Sequence, residues 1–526
     1  MNKPLSSDKK ITYTNPSNIK SVILTGDGLS VEDVVAVARF FAKVSIDNSA
    51  TEKMKKARAL VDKIVLSEKP TYGINTGFGQ FSDISINTDD IDTLQKNLIL
   101  SHCTAVGDPY PDEVVRAMML LRANALCIGN SGIRPVVVET LVEMLNKGIH
   151  PIVPEKGSLG ASGDLAPLAH MVLPLIGYGE ATYNGVKTDG ALAMDNAGVN
   201  ICTLKAKEGL ALINGTQAMT AVGTLSYYDS LCAARLADIA TGMTMEALTA
   251  LVNAFDERVQ LVRPHKGQQL VAKNIRELTK DSQILKDSQH LRVQDAYAIR
   301  CVPQVHGAIR DTLSYVRSII ETEINSVTDN PVLFPEDGDV ISAGNFHGEP
   351  MAFAFDFLGI AVSEIASISE RRLERMLNPA LSEGLPAFLT RHGGLNSGYM
   401  ICQYCAASMV SENKILAHPA SVDSIPSSAN QEDHVSMGTT AARKSAKIVQ
   451  NVFSVLAFEF LAAAQGIDLR GKTPSPVSKK VYDIIRKRVP ELEEDREIRI
   501  DIKAMNEIVR GSEILDAVFA EIDTFE

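Results

Sequence analysis

Apolar residues in the second half of the chain recur three and four apart. After Val305 the series Ile309, Leu313, Val316, Ile320 and Ile324 keeps one face apolar until Thr328-Asp329-Asn330-Pro331 ends it, which is the pattern of a helix stopped by proline. Similar patterns run from about Glu349 to Leu377, Ser397 to Leu416 and Val435 to Gln465, several beyond the usual length of about a dozen residues. They are apolar on more than one face and carry alanine and serine where helices can approach closely. The expectation is a long-helix bundle that buries surface against other helices, in this chain or in further subunits.

The first half is more broken. Helices are predicted over Val31–Val44, Ile91–Leu100, Asp112–Cys127 and Pro135–Asn146, between loops rich in glycine, asparagine and proline. Short strands are predicted at Ser21–Leu24 and around Ala181 to Val186, where Asn184-Gly185 signals a hairpin. The chain therefore reads as mainly α. A loose polar tail (1–20) precedes a loop-rich N-terminal region (21–215), a central long-helix core (216–480) and a C-terminal helical segment (481–526). No linker separates these parts into independent units, and no repeats occur.

Composition narrows the function classes. Across 526 residues, 45% hydrophobic and 22% charged, 52 basic side chains face 64 acidic ones for a net charge of -12, so nucleic acid and anionic membrane are unlikely partners. Seven cysteines, sparse and odd in number, point to a reducing, cytoplasmic compartment. Cys402-Gln-Tyr-Cys405 reads as small buried thiols in an apolar helix. Residues 1–20 contain no apolar core of a signal peptide. The most apolar stretches, Met351–Ala366 and Asn451–Ile467, are interrupted by Asp356, Glu364 and Glu459, and are expected not to span a bilayer.

The densest chemical signal is Gly157-Ser158-Leu159-Gly160-Ala161-Ser162-Gly163-Asp164. Its plain reading is a glycine turn with Asp164 as N-cap of the following helix. A phosphate loop fits worse, because the Gly-Lys-Ser/Thr ending is missing and Asp164 is negative where phosphate would sit. The third reading is chemical. If the Gly163 nitrogen attacks the Ala161 carbonyl and two waters leave, the product is a five-membered ring bearing a dehydroalanine methylidene, an electrophile no ordinary side chain offers. Gly163 has the least hindered nitrogen, Ala161 is small and Ser162 carries the hydroxyl to be eliminated.

Other polar clusters accompany it. Tyr72-Gly73-Ile74-Asn75-Thr76-Gly77-Phe78-Gly79 describes a loop, on which a tyrosine with a lowered pKa can act as a general base. Gln294-Asp295-Ala296-Tyr297-Ala298-Ile299-Arg300 has helical spacing, with Tyr297 and Arg300 on one face and Gln294 a turn earlier; a phenol beside a guanidinium suits a carboxylate. Arg300 in a surface ion pair is the plainer alternative. Asn214-Gly215-Thr216-Gln217, Gly344 to Glu349 and Ser427 to Met437 read as helix caps, or together as amides that hold an oxyanion. The ten histidines lack H-x-x-x-H spacing, so no metal site is expected.

In these segments and their order the chain resembles the aromatic amino acid lyases that carry a methylidene-imidazolone (MIO) group, from about Val22 to Val509. The resemblance implies an aspartase/fumarase-like helical architecture. It implies that Ala161-Ser162-Gly163 cyclise to the MIO without an external cofactor, that Tyr72 serves as base, and that Asn214, Gln294, Tyr297, Arg300 and Phe346 line the site. It also implies a homotetramer whose active sites draw on more than one subunit. Within the family the chain is similar to the histidine-directed members, by Ser101-His102 where relatives carry Phe-Leu or His-Leu, and by Glu432 where they carry glutamine. A pocket carboxylate suits an imidazole N–H, whereas a phenyl ring leaves it unpaired at about 1–3 kcal/mol or more. The implied reaction is loss of ammonia from L-histidine to give trans-urocanate, the first step of histidine degradation, with His102 and Glu432 on the imidazole and Arg300 on the carboxylate. A tyrosine or phenylalanine lyase, or an aminomutase of the family, is the alternative. An all-helical scaffold that lost its chemistry is the reading from another class.

Overall fold

The structure, a computed structural model, describes residues 14–67 and 70–526. Its centre is three helices, Gln217–Ala247, Glu349–Leu377 and Gly438–Arg470, of 31, 29 and 33 residues, which pack against one another. Val302–Glu323 and Met400–Leu416 flank them. Gln217–Ala247 is buried along nearly its whole length, as expected of a helix that is apolar or small-sided all round. Close approach needs missing atoms where helices cross. A Cβ on Gly223 would stand 1.9 Å from the Phe355 ring, so that ring fills the volume a side chain on the neighbouring helix would occupy.

Glu459 sits in the middle of this apolar packing because it is fully neutralised. Arg372 donates to it through Nε at 2.6 Å and Nη2 at 2.9 Å, and Thr244 and Ser369 add hydroxyl donors. The expectation that such carboxylates bar the long helices from a membrane is corrected. Glu349–Leu377 and Gly438–Arg470 are both long and apolar enough to cross one by length and composition, and 61% and 83% of their most apolar windows are buried inside the fold. They form the protein's own core.

The N-terminal region wraps one end of the bundle. Asp112–Cys127 and Pro135–Lys147 are helices, and Ser21–Leu24 is a strand as predicted. The helix beginning at Val31 stops at Phe40 and does not continue to Val44. Phe41 turns left-handed at φ 57°, and Lys43–Ile46 becomes a strand parallel to Ser21–Leu24. Burying Val44 in that pair outweighs another helical turn. The predicted hairpin joins Glu180–Tyr183 to Val186–Asp189, with Asn184 and Gly185 both at positive φ, the backbone of a type I′ turn. The last core helix starts at Gly438, after Met437 at φ 55°, and runs on to Arg470. Of the tail expected over 1–20, residues 1–13 lie outside the described residues, and Pro16–Asn18 form a helical turn capped by Asn15. Cys402 is buried but Cys405 is exposed.

Removing one partner of the buried pair leaves a desolvated charge. Glu459→Ala is expected to lower unfolding free energy by about 3–5 kcal/mol, measured as a fall in the denaturant midpoint.

Candidate active site

The loop from Gly157 to Asp164 is held by backbone hydrogen bonds at both flanks. The Met437 N–H donates to the Leu159 carbonyl at 3.0 Å, and the Asp164 N–H to the Gly215 carbonyl at 2.7 Å. Between them Ala161 and Gly163 are buried and Ser162 is half-buried. Gly163 has φ +74°, and a Cβ on it would stand 2.2 Å from the Gly215 carbonyl oxygen, so only glycine fits that position.

Asp164 precedes the helix Leu165–Val172 but makes no side-chain cap bond to it, which corrects the N-cap reading. Its carboxylate accepts instead from Ser158 Oγ at 2.7 Å, the Met219 N–H at 2.8 Å and Thr439 Oγ1. Met219 and Thr439 lie in the first turns of two of the long helices, where unpaired N–H groups and the positive end of the dipole favour an anion. Burial raises the Asp164 carboxyl above the usual carboxylate range, against the lowering effect of these hydrogen bonds.

Ser162 is the meeting point. Its Oγ donates to Glu432 Oε1 at 2.8 Å, and its carbonyl accepts from Asn214 Nδ2 at 2.8 Å. Ser427 Oγ donates to the other Glu432 oxygen at 3.0 Å. A cavity of about 550 Å³ opens here, with Tyr72, His102, Ser162, Asn214, Asn330 and Glu432 in its wall. An adjoining cavity of about 710 Å³ shares Tyr72, Ser162, Asn330 and Glu432 and adds Phe346. The Tyr72 ring packs edge-on against Phe78. Burial raises its phenol, with Glu432 and Asp329 adding to the rise and a hydrogen bond from Gly79 opposing it. The single chain therefore does not supply the lowered pKa that the base role calls for. Burial lowers the His102 imidazole, against the pull of the Leu98 backbone and Glu432, so its ring is neutral at neutral pH. Ser101 Oγ lies 3.0 Å from its Nδ1.

Five expected residues, Tyr72, His102, Asn214, Phe346 and Glu432, thus gather around Ala161-Ser162-Gly163. Three do not. Gln294, Tyr297 and Arg300 line neither cavity. The Arg300 guanidinium lies 4.6 Å from the Tyr297 ring centre, and Tyr297 is 68% exposed. Gln294 is not a turn earlier on the same helix, because the helix is only Tyr297–Arg300. Asp295 is drawn away, accepting from the Leu251 N–H and from Arg292.

Two features escaped the sequence reading. Asn330, read as part of a helix stop, lines both cavities and accepts from Ser342 Oγ and the Ala343 N–H, anchoring the loop that carries Phe346. A polar string longer than a stop requires was the available signal. His347, Glu349 and His434 bring ligand atoms within 4.8 Å of one another, with the two imidazoles stacked. An argument from H-x-x-x-H spacing cannot reach a cluster assembled from two loops.

The family model for aromatic amino acid lyase matches residues 29–487. A histidine ammonia-lyase of Caldanaerobacter subterraneus subsp. tengcongensis is 56% identical over 504 residues, covering 96% of this chain and 99% of its own. Among solved structures, histidine ammonia-lyase from Trypanosoma cruzi superposes with TM-score 0.89 at 44% identity, covering 95% of each chain. A tyrosine aminomutase from Streptomyces globisporus superposes with TM-score 0.91 at 37% identity, covering 96% of this chain and all of that one.

Proposed function

The chain belongs to the aromatic amino acid lyase family, and from that premise we propose that it eliminates ammonia from L-histidine to give trans-urocanate. The observation that carries this reading is Glu432, a carboxylate in the cavity wall whose Oε1 is bonded to the Ser162 hydroxyl. Cyclisation of Ala161-Ser162-Gly163 removes that hydroxyl as water. Oε1 is then left without its donor, and an imidazole N–H replaces it where a phenyl or phenol ring does not. Full-length identity to histidine ammonia-lyases supports the same substrate.

The tripeptide fits the MIO. Gly163 is at a positive φ that suits the ring nitrogen's donor, the Ala161 side chain is small, and the Asn214 carboxamide already holds the carbonyl that the ring retains. Once formed, the ring would supply an electrophilic methylidene, chemistry that activates the substrate for loss of ammonia. The remaining work falls to side chains. Glu432 and neutral His102 orient the imidazole, Phe346 walls the cavity, and Tyr72 Oη takes the β-proton as the C–N bond breaks. Arg300 binds the substrate carboxylate, with Tyr297 and Gln294 beside it.

Those last three residues come from another copy of the chain. Within one chain they stand outside the cavity, on a partly exposed segment, and among the described residues no lysine or arginine lines the cavity to meet the carboxylate. A homotetramer with shared sites joins the two halves and brings Arg300 toward Tyr72, which supplies the field that lowers its phenol. An apolar groove of about 810 Å³ between Val302–Glu323 and Glu349–Leu377 supports self-association. Along it Tyr315, Phe357 and Ile360 are each more than two-fifths exposed. Seven cysteines, all free, support a cytoplasmic location.

Three outcomes test this reading. Wild-type protein is expected to be lighter than its sequence by two waters and to release urocanate from histidine, while Ser162→Ala has full mass, retains the fold by circular dichroism and is inactive. Glu432→Gln is expected to lower kcat/KM for histidine roughly ten- to hundred-fold, from about 1–3 kcal/mol per lost buried hydrogen bond, with no such loss for tyrosine or phenylalanine; chromatography of the products separates a lyase from an aminomutase. Ser162→Ala and Arg300→Ala, each inactive alone, are expected to regain part of the activity when co-expressed, since a mixed tetramer contains sites with both residues intact; no regain refutes shared sites.

A further inference from the structure

Behind the Ser162 carbonyl lies a buried cation without an ion-pair partner among the described residues. Arg122, on the helix Asp112–Cys127, is fully buried. Its Nη1 donates to the Asn214 carbonyl at 2.9 Å and to Gln217 Oε1 at 2.8 Å, while Nε and Nη2 have no hydrogen-bond partner. Asp329 attracts it, but that carboxylate is held at 2.7 Å by Lys207, and both are fully buried. Two buried cations therefore face one buried carboxylate. Burial pushes the Arg122 guanidinium down to about 10, which leaves it charged at neutral pH. An uncompensated buried charge is costly to a fold, and its field must act on something nearby.

The path from this cation to the tripeptide is cleared of side chains. A Cβ on Gly215 would stand 2.4 Å from Arg122 Nη1, and one on Gly163 would stand 2.2 Å from the Gly215 oxygen. Two glycines back to back let the guanidinium approach through a single layer of backbone. Asn214 spans that layer, its carbonyl bonded to Arg122 and its carboxamide donating to the Ser162 carbonyl at 2.8 Å.

We propose that Arg122 is a positioning residue for the electrophile: it fixes Asn214 so that the carboxamide stays aimed at the Ser162 oxygen, and its field stabilises negative charge arriving there. The inference rests on the cyclised tripeptide of the preceding reading. In that ring the Ser162 carbonyl is conjugated with the methylidene. When a nucleophile's lone pair forms a bond to the methylidene carbon, the C=C π pair is displaced toward the Ser162 oxygen, and any proton on the nucleophile passes to solvent. Donors fixed before the charge develops act most strongly on the charged state.

The test uses the full-length protein with Arg122→Gln and Arg122→Lys. Intact mass comes first: a wild-type chain that has lost no water sinks the ring reading itself, separately from any role of Arg122. On cyclised chains the rate of modification by nitromethane, followed by loss of the ring's ultraviolet absorbance and gain of mass, reads the electrophile without an amino acid substrate. Arg122→Gln is expected to slow both this modification and kcat about ten-fold or more, with little change in KM, and Arg122→Lys to recover part of the loss. Wild-type modification rates in cyclised Arg122→Gln overturn the assignment. So does a folded variant of full mass, because Arg122 would then serve ring formation. If Arg122→Gln does not fold, Arg122→Lys decides: it is expected to be a few-fold slow, since lysine cannot reproduce the guanidinium's planar fork, and a wild-type rate in it refutes the proposal.

Discussion

A carboxylate shut away from water stays put only while its donors do, and Asp164 takes its donors from three places: its own loop and the first turns of two core helices. The loop is thereby bolted to the bundle. A glycine-rich segment of this composition has little of its own to hold one conformation, yet here its flanks cannot move unless helices of 31 and 33 residues move with them. The cost of burying the charge is offset by hydroxyl donors and by satisfying the N-terminus of the helix Gln217–Ala247, which would otherwise carry an unpaired N–H group. The proposed ring closure would need a backbone held in one conformation, and this clamp anchors the flank of the tripeptide.

The helices supply rigidity and the loops supply chemistry. Asn214 stands just before one core helix, Glu432 in the loop before another, and Phe346 in the loop before the third, so each functional side chain is displaced from a helix start by only a few residues. Such a layout keeps these three side chains aligned while placing them outside the bundle. It also bears on the proposal of sites shared between copies. The segment with Tyr297 and Arg300 faces outward beside an apolar groove, and both properties suit a surface that closes against a further copy.

Local signals were legible where the cause is local. Glu349–Leu377 was readable to the residue, since its periodicity runs between a polar cluster and Asn378-Pro379; Asn184-Gly185 named its turn because both residues tolerate positive φ. Asn214 and Glu432 were legible within polar clusters beside helix starts and Tyr72 as a tyrosine on a glycine-rich loop, whereas His102 and Phe346 were reached through the family resemblance. What stayed hidden depends on partners far away in sequence. Asp164 has the look of a cap, and only folding reveals that Thr439 lies beside it. Glu459 reads as a break in an apolar helix until Arg372 is seen against it. Arg122, on an apolar helix, announces nothing without Gly215 and Asn214 around it. Gln294 was misplaced because a contact from Leu251 to Asp295 overrides the local helical spacing.

Maturation and substrate choice meet at one oxygen. While Ser162 keeps its hydroxyl, Glu432 Oε1 is satisfied within the chain and Ser427 holds Oε2. In the proposed cyclisation that hydroxyl leaves as water, so the step that would create the electrophile would also strip a half-buried carboxylate of a donor. An unsatisfied acceptor in such a setting costs about 1–3 kcal/mol, and the cost remains until something with an N–H enters the cavity. An imidazole does so. A phenyl ring would leave the oxygen bare, so on the proposed reading discrimination arises from an atom lost in cyclisation as much as from those that remain. A glutamine at this position could turn its amide to satisfy itself, and the penalty that excludes the apolar ring would fall with it.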